Sequence, residues 1–311
     1  MEYGLMVEPQ VGGTYDELLG LALAAEKAGF TSFARSDHYL AGEDSVAATD
    51  ALTTIAGLAR ETSTINLTVL VTPLTFRHPG VIAKTATTLD EMSGGRFELG
   101  VGTGWMESEH RVFGIQLPEM RTRFSLLFET LAYIHAATGR SNGGFVGRHY
   151  ELEDVDLLPQ PINKLPIIIG GMGPQKTPSI AGRFADEYNL FASSAEDLAA
   201  RKEVMTTTAT EVGRGPSEVK MSITTTVVLG ADEAEYREVL GAAAAKREKD
   251  PAELEATLAE RRVLHGTYEQ AAEQAAQYAK EGIGRIYIQY FEPLRDIDEA
   301  DVARQLQGLM G

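Results

Sequence analysis

Short runs rich in Val, Ile and Leu alternate with longer, Ala-rich amphipathic stretches along nearly the whole chain. That alternation is the rhythm of a parallel sheet covered by helices. The first run, Tyr3–Val7, predicts a strand. Thr14–Ala28 predicts a helix with Leu18, Leu21, Ala22 and Ala25 on one stripe, and Gly29 ends it. Further strands are predicted at Phe30–Arg35, Ile65–Thr72 and Phe97–Val101, with helices between them from Ser45 to Glu61 and from Val81 to Met92. A helix from Met120 to Ala137 follows, carrying Phe124, Leu127, Leu131 and Ile134 among interleaved Arg and Glu.

Residues 138–165 interrupt the rhythm with Gly139, Gly143, Gly144, Gly147, Pro159 and Pro161, which predicts an excursion with short strands of its own. The alternation resumes with strands at Ile167–Ile169, Glu187–Phe191, Val219–Leu229 and Arg285–Tyr290. The helices between them are Gln175–Phe184, Ala195–Val212 and Tyr268–Glu281, and the charged, Ala-rich residues 231–264 read as helix plus a second insertion. Eight strand–helix units favour a closed barrel over an open doubly wound sheet, which usually has about five or six strands. The expected fold class is therefore α/β, a (β/α)8 TIM barrel with insertions, as one domain over residues 1–311.

The composition narrows the function. There are no cysteines, which excludes disulfides, thiolate metal sites and a cysteine nucleophile. The formal net charge is −17 and no basic cluster is visible, so neither a nucleic acid nor an anionic membrane is an expected partner. No apolar run approaches the roughly 18 to 20 residues of a membrane span, and Met1–Val7 lacks the basic start of a signal peptide, so the expected location is cytoplasmic.

In a barrel the chemistry sits on the loops after the strands. Asp37-His38 follows the second predicted strand; the pair can orient an imidazole against a ligand, or Asp37 can cap a turn while His38 packs. Gly100-Val101-Gly102-Thr103-Gly104-Trp105 follows the fourth, a turn where backbone can approach a ligand; Trp105 is either ordinary loop packing or an indole walling a planar pocket. Gly170-Gly171-Met172 leads into a helix start near Lys176: either a place for an anion, with charge from Lys176 and hydroxyls from Ser193-Ser194, or a tight connection with no ligand. Glu107 and Glu109 are acid–base candidates, or ordinary helix-start glutamates. The six histidines (38, 78, 110, 135, 149, 265) show no zinc spacing, and neither GxSxG nor a Walker sequence occurs; no metal site is expected.

The stretches Thr75-Phe76-Arg77-His78-Pro79, Ala83-Lys84 and Leu89-Asp90-Glu91-Met92-Ser93-Gly94-Gly95-Arg96 resemble the bacterial luciferase-like oxidoreductases. So do Leu99 to Trp105, Glu109, Phe113-Gly114-Ile115, Arg123, Gly170-Gly171 and Ala185-Asp186-Glu187, in the family's order over most of the chain. The likeness is to the branch that uses the deazaflavin coenzyme F420, with FMN as the alternative cofactor. It implies a cofactor ring over the third strand, backed by a bulge with a non-proline cis peptide near Val69-Leu70. It also implies phosphate contacts from Gly170-Gly171-Met172 and Ser193-Ser194, in agreement with the anion reading; Lys176 and the turn of Gly102, Thr103, Gly104 and Trp105 complete the candidate cofactor contacts. Hydride transfer to or from a small organic substrate is then expected, with His38 as the proton-handling group, Asp37 orienting it, and Glu109 and Trp105 shaping the mouth. Trp105 stands where related sugar-phosphate dehydrogenases carry a glutamate general acid, and Glu187 where relatives often have glycine. The rivals are an FMN-dependent monooxygenase, a non-catalytic flavin-binding barrel and a metal-dependent hydrolase. Relatives are commonly homodimers, and the same is expected here.

Overall fold

The computed structural model describes residues 1–41, 48–155, 157–215 and 217–310. In chain order it begins with β1 (Glu2–Val7), α1 (Tyr15–Ala28), β2 (Ser32–Arg35), α2 (Ala51–Glu61), β3 (Asn66–Pro73), α3 (Pro79–Ser93) and β4 (Phe97–Gly102). Helices α4 (Glu107–Phe113) and α5 (Met120–Ala137) follow, then a two-stranded hairpin of β5 (Phe145–Val146) and β6 (Glu151–Leu152). Next come β7 (Ile167–Gly170), α6 (Lys176–Phe184), β8 (Glu187–Phe191), α7 (Ala195–Glu211), β9 (Lys220–Thr225) and β10 (Val227–Gly230). The chain continues through α8 (Glu233–Lys246), α9 (Pro251–Glu260), β11 (Leu264–Thr267), α10 (Tyr268–Glu281), β12 (Ile283–Tyr290) and α11 (Glu299–Met310).

Eight strands close into a barrel in the order β1-β12-β9-β8-β7-β4-β3-β2, and every pairing within it is parallel. The expected (β/α)8 architecture is the one observed. Side chains from alternate strand positions divide the core in two. Met6, Ala34, Leu70, Ile168 and Tyr287 fill the barrel interior, whereas Leu5, Phe33, Leu67, Val69, Leu99 and their neighbours pack outward against the helices.

Local chemistry explains the element ends. Thr14 and Glu17 form a capping box at the start of α1, and Gly29 ends that helix in the left-handed region at φ 96°. Helix α2 starts later than its hydrophobic pattern suggests because Asp50 caps it, accepting from the Thr53 N–H at 2.9 Å; residues Ser45 to Ala47 of the expected helix lie outside the described residues. The run Val219–Leu229 is not one strand. It breaks at Thr226, and β10 leaves the barrel to pair in parallel with β11. Those two strands and α8 and α9 gather a small core of Val228, Tyr236, Leu240, Ala244, Leu254 and Leu258. Helix α11 buries Val302, Leu306 and Leu309 and packs beside α1. No described helix is long and apolar enough to cross a membrane.

Candidate active site

Polar side chains gather where β1, β2, β3 and β12 end. Glu8, directly after β1, is buried and accepts hydrogen bonds from Gln10 Nε2 at 2.5 Å and from Gln289 Nε2. Gln10 in turn accepts from Ser36 Oγ at 2.7 Å. Beside them lies His38, with 17% of its side-chain surface exposed. Its Nδ1 is 2.9 Å from Glu109 Oε2. The other oxygen of Glu109 accepts the backbone N–H groups of Tyr39 at 2.5 Å and Leu40 at 3.1 Å.

A carboxylate engaged in this way accepts from the imidazole, so Nδ1 carries the proton and Nε2 is left as the acceptor. Burial opposes charge on His38, but the hydrogen bond and charge of Glu109 outweigh it and raise the His38 pKa above its ordinary value. Burial likewise opposes the Glu109 carboxylate, yet His38 and the two backbone donors hold its pKa low. Helix α4, which carries Glu109, is pinned by His110. That ring bonds the Met106 carbonyl through Nδ1 at 2.7 Å and Thr75 Oγ1 through Nε2 at 2.7 Å.

Two expectations are corrected here. Glu109 does not shape an exposed mouth: it is 1% exposed and is the group that orients His38. Asp37 does not orient His38. It accepts from Thr72 Oγ1 at 2.6 Å and from both terminal nitrogens of Arg77. Arg77 also bonds Tyr39 Oη at 2.9 Å and Asp50 at 2.5 Å. Burial opposes ionisation of Asp50, but the Thr53 backbone N–H and Arg77 hold its pKa at about 2. Asp37 is thus one corner of a brace in which Arg77, held by two carboxylates, joins the ends of β2 and β3 to the start of α2. Beneath it Arg35 is fully buried among Thr49, Thr54 and the Ser36 carbonyl, and burial draws its pKa down to about 10.

The third strand carries the expected irregularity one bond later than anticipated. The cis peptide joins Leu70 and Val71, and the pairing of β3 with β4 shifts register between Val69 and Thr72. Val69 is fully buried in the outer core, so its side chain does not face the mouth; Leu70 lies in the barrel interior. Glycines seat this bulge. A Cβ on Gly102 would come within 2.6 Å of Val71 Cγ2, and one on Gly170 within 2.8 Å of Val71 Cγ1. The glycine-rich turn therefore makes room for Val71, a reason for Gly102 other than the close ligand approach anticipated. Thr103 and Gly104 lie half-buried beyond it, and the Gly104 carbonyl accepts from Arg123 Nη1 at 2.5 Å. Trp105 is 67% exposed and stands edge-on to His38, ring centroids 5.6 Å apart.

Across the mouth, Gly171 adopts φ 147° and its carbonyl accepts from Tyr188 Oη at 3.0 Å. The Met172 carbonyl accepts from Arg201 Nη2 at 3.0 Å. Ser194 Oγ caps α7 by accepting from the Asp197 N–H at 3.1 Å, whereas Ser193 Oγ is buried with no hydrogen-bond partner. Arg201 Nε is orphaned in the same way. Two buried donors without acceptors beside a glycine loop and an α6 start that lacks a side-chain cap suit an anionic group. Lys176 is not part of this arrangement: its ammonium lies over the Phe124 ring, 5.2 Å from the centroid. The sequence pattern does not single out Arg77, Tyr39, Asp50, Gln10, Gln289 or Arg201 as site residues, although Arg77 lies in one of the family-like stretches. Among the described residues no cluster of His, Asp or Glu is disposed to hold a metal ion.

The sequence profile of the luciferase-like monooxygenases matches residues 1–285. An F420-dependent glucose-6-phosphate dehydrogenase of Nakamurella multipartita is 37% identical over 185 residues, 58% of this chain and 54% of that protein. A pyrimidine monooxygenase of Variovorax paradoxus is 31% identical over 143 residues, 45% of this chain and 38% of that protein. The chain thus spans about half the length, or less, of these curated relatives. An F420-dependent secondary alcohol dehydrogenase, solved in complex with an F420-acetone adduct, superposes with a TM-score of 0.80 at 21% identity, over 99% of this chain and 98% of that one. The FMN complex of the oxygenating constituent of 3,6-diketocamphane monooxygenase from Pseudomonas putida gives 0.75 at 19%, over 99% and 96%. Identities this low speak to the fold alone. With the profile matched over most of its length and a bulged third strand in a closed eight-stranded barrel, the chain belongs to the luciferase-like monooxygenase family.

Proposed function

We propose that this protein is an F420-dependent oxidoreductase that moves a hydride between its cofactor and a small organic substrate. The observation that carries this reading is the His38–Glu109 pair beside the bulge at Leu70–Val71, with Nε2 of the imidazole left to accept a proton. The curated F420-dependent relatives, at 37% identity, support the choice of cofactor. When bound, the deazaflavin supplies a two-electron hydride acceptor or donor.

The residues present fit such a group. Ser193, the backbone N–H groups of the Gly171-Met172 loop and the start of α6 would hold its phosphate, with the Arg201 charge behind them. Val71 and its seat of glycines would back the ring. In the oxidative direction the substrate loses a carbon-bound hydride and a hydroxyl proton, and His38 Nε2 takes the proton while Glu109 stabilises the resulting imidazolium. Asp37 and Arg77 hold the segment from which His38 projects.

Titration of the purified protein with F420 and with FMN, read by cofactor fluorescence, tests the proposal. Tight binding selective for F420 is expected. Selective FMN binding would move the protein to the monooxygenase side of its family, and binding of neither would remove the cofactor claim. His38→Ala should lower turnover by about 10²- to 10⁴-fold while changing F420 affinity little; equal turnover would exclude His38 from proton transfer.

A further inference from the structure

The cofactor reading leaves the substrate open, and the mouth of the barrel bears on it. Helix α4 inverts the usual polarity in part, although Glu107 and Arg111 are exposed as charges ordinarily are. It buries Glu109 and His110, at 1% and 3% exposure, and turns Val112 and Phe113 outward at 60% and 53%. Polar residues inside are accounted for by His38 and Thr75. The apolar residues outside have no such account within the helix, because a surface helix ordinarily hides them.

Phe113 leans on Tyr39, ring centroids 5.3 Å apart, and Tyr39 stacks on Phe76 at 4.9 Å. Trp105 flanks the neighbouring His38. An aromatic wall therefore runs along the side of the mouth that holds the proton acceptor.

Charge points the same way. Around His38 lie the carboxylates of Glu8, Asp37, Asp50 and Glu109. Among the described residues the arginines between them are Arg77, paired with Asp37 and Asp50, and Arg35, fully buried beneath. Across the mouth Arg201 is paired with Asp197 and Arg262 with Glu281. A dianionic sugar phosphate bound against His38 would meet a negative field, and Arg77 there is already held by Asp37 and Asp50.

We infer that the site takes an uncharged, apolar small alcohol or ketone packed against Trp105 and Phe113, and not a sugar phosphate of the kind named for the relatives. This rests on the reading of His38 as the reacting edge of the site.

Trp105 is the only tryptophan in the chain, so its emission reports directly on that wall. The test titrates 2-butanone, 2-hexanone, 2-octanone and glucose 6-phosphate, each into cofactor-free protein and into protein saturated with F420. Saturable emission changes are expected for the ketones, with dissociation constants falling about two- to fourfold per added methylene, and none for glucose 6-phosphate at equal concentration. Phe113→Asp, a substitution at an exposed position, should weaken 2-octanone far more than 2-butanone and leave F420 binding unchanged. Tighter saturation by glucose 6-phosphate, ketone affinities independent of chain length, or no saturable ketone response would overturn the inference. The chain-length ladder without F420 binding would overturn the cofactor reading alone; F420 binding without the ladder would overturn this inference alone.

Discussion

The two ends of the barrel hold similar side chains and put them to opposite uses. At the floor, Arg285 bonds Glu98 through both terminal nitrogens, at 2.7 and 3.0 Å, and Glu2 through Nε at 2.8 Å. Lys220 joins through Glu2 at 2.7 Å, Thr68 donates to Glu98 at 2.8 Å, and Tyr287 Oη sits 2.6 Å from Arg285. Arg285, Glu98 and Glu187 are all nearly inaccessible. At the mouth, carboxylates and guanidinium groups are just as firmly paired, but the pairs stop short of closure. His38 keeps an acceptor nitrogen, and Ser193 and Arg201 keep donors without partners. The lesson is that charge in a barrel marks chemistry only where the network is left incomplete and within reach of a ligand.

Cutting the floor is the largest perturbation. Arg285→Met would leave Glu98, Glu2 and Glu187 facing one another with only Lys220 opposing them. Breaking a buried ion network by removing one partner costs about 3–5 kcal/mol, so urea unfolding should show a loss of that order. The cofactor affinity of whatever remains folded should stay close to that of the parent. A variant as stable as the parent would mean that the floor carries no net electrostatic support.

The contrast also shows what the sequence could reveal. The eight barrel strands were legible because strands covered on both sides read as apolar runs. That Val219–Leu229 splits at Thr226 was not, since periodicity cannot say which sheet a run joins. Strand-end positions flagged His38 and Trp105, yet the pairing was misread. Asp37 and His38 are neighbours in the loop after β2, but adjacency in the chain does not make their side chains partners. One meets Arg77 and the other Glu109, which is 71 positions away and has no local signal. The orphaned donors of Ser193 and Arg201 are likewise tertiary facts.

A milder change separates positioning from structure at the mouth. Glu109→Gln keeps an acceptor oxygen for the N–H groups of Tyr39 and Leu40, so the loop should hold its shape. It removes the charge that lifts the His38 pKa against burial. With burial unopposed that pKa falls. The acid limb of the kcat/KM profile for alcohol oxidation, which tracks loss of the His38 proton, should then move to lower pH, with a lower plateau because the imidazolium is less stabilised. An unmoved limb would deny Glu109 its role. The same shift has a stability counterpart. Because the folded His38 pKa is raised, the contribution of the pair is complete below the ordinary histidine pKa of about 6.5. It is lost as pH rises through the folded value, and the variant should lack that decline.

The smallest effect is expected at the one imperfect point of the floor. Glu187 Oε1 has no hydrogen-bond partner, and its other oxygen lies 3.3 Å from Arg285. Burial, aided by the nearby Glu98 charge, raises its pKa despite the opposing charge of Arg285. A carboxyl whose folded pKa is raised lends stability that is complete below the unfolded value and is lost as pH climbs through the folded one. Glu187→Gln removes that dependence while keeping shape and an acceptor for Arg285. The variant should therefore match the parent near pH 5 and equal or exceed it near pH 8, in urea unfolding at the two pH values. If it instead loses several kcal/mol at pH 8, the Glu187 charge is needed to balance Arg285, and the floor is as finely charged as the mouth.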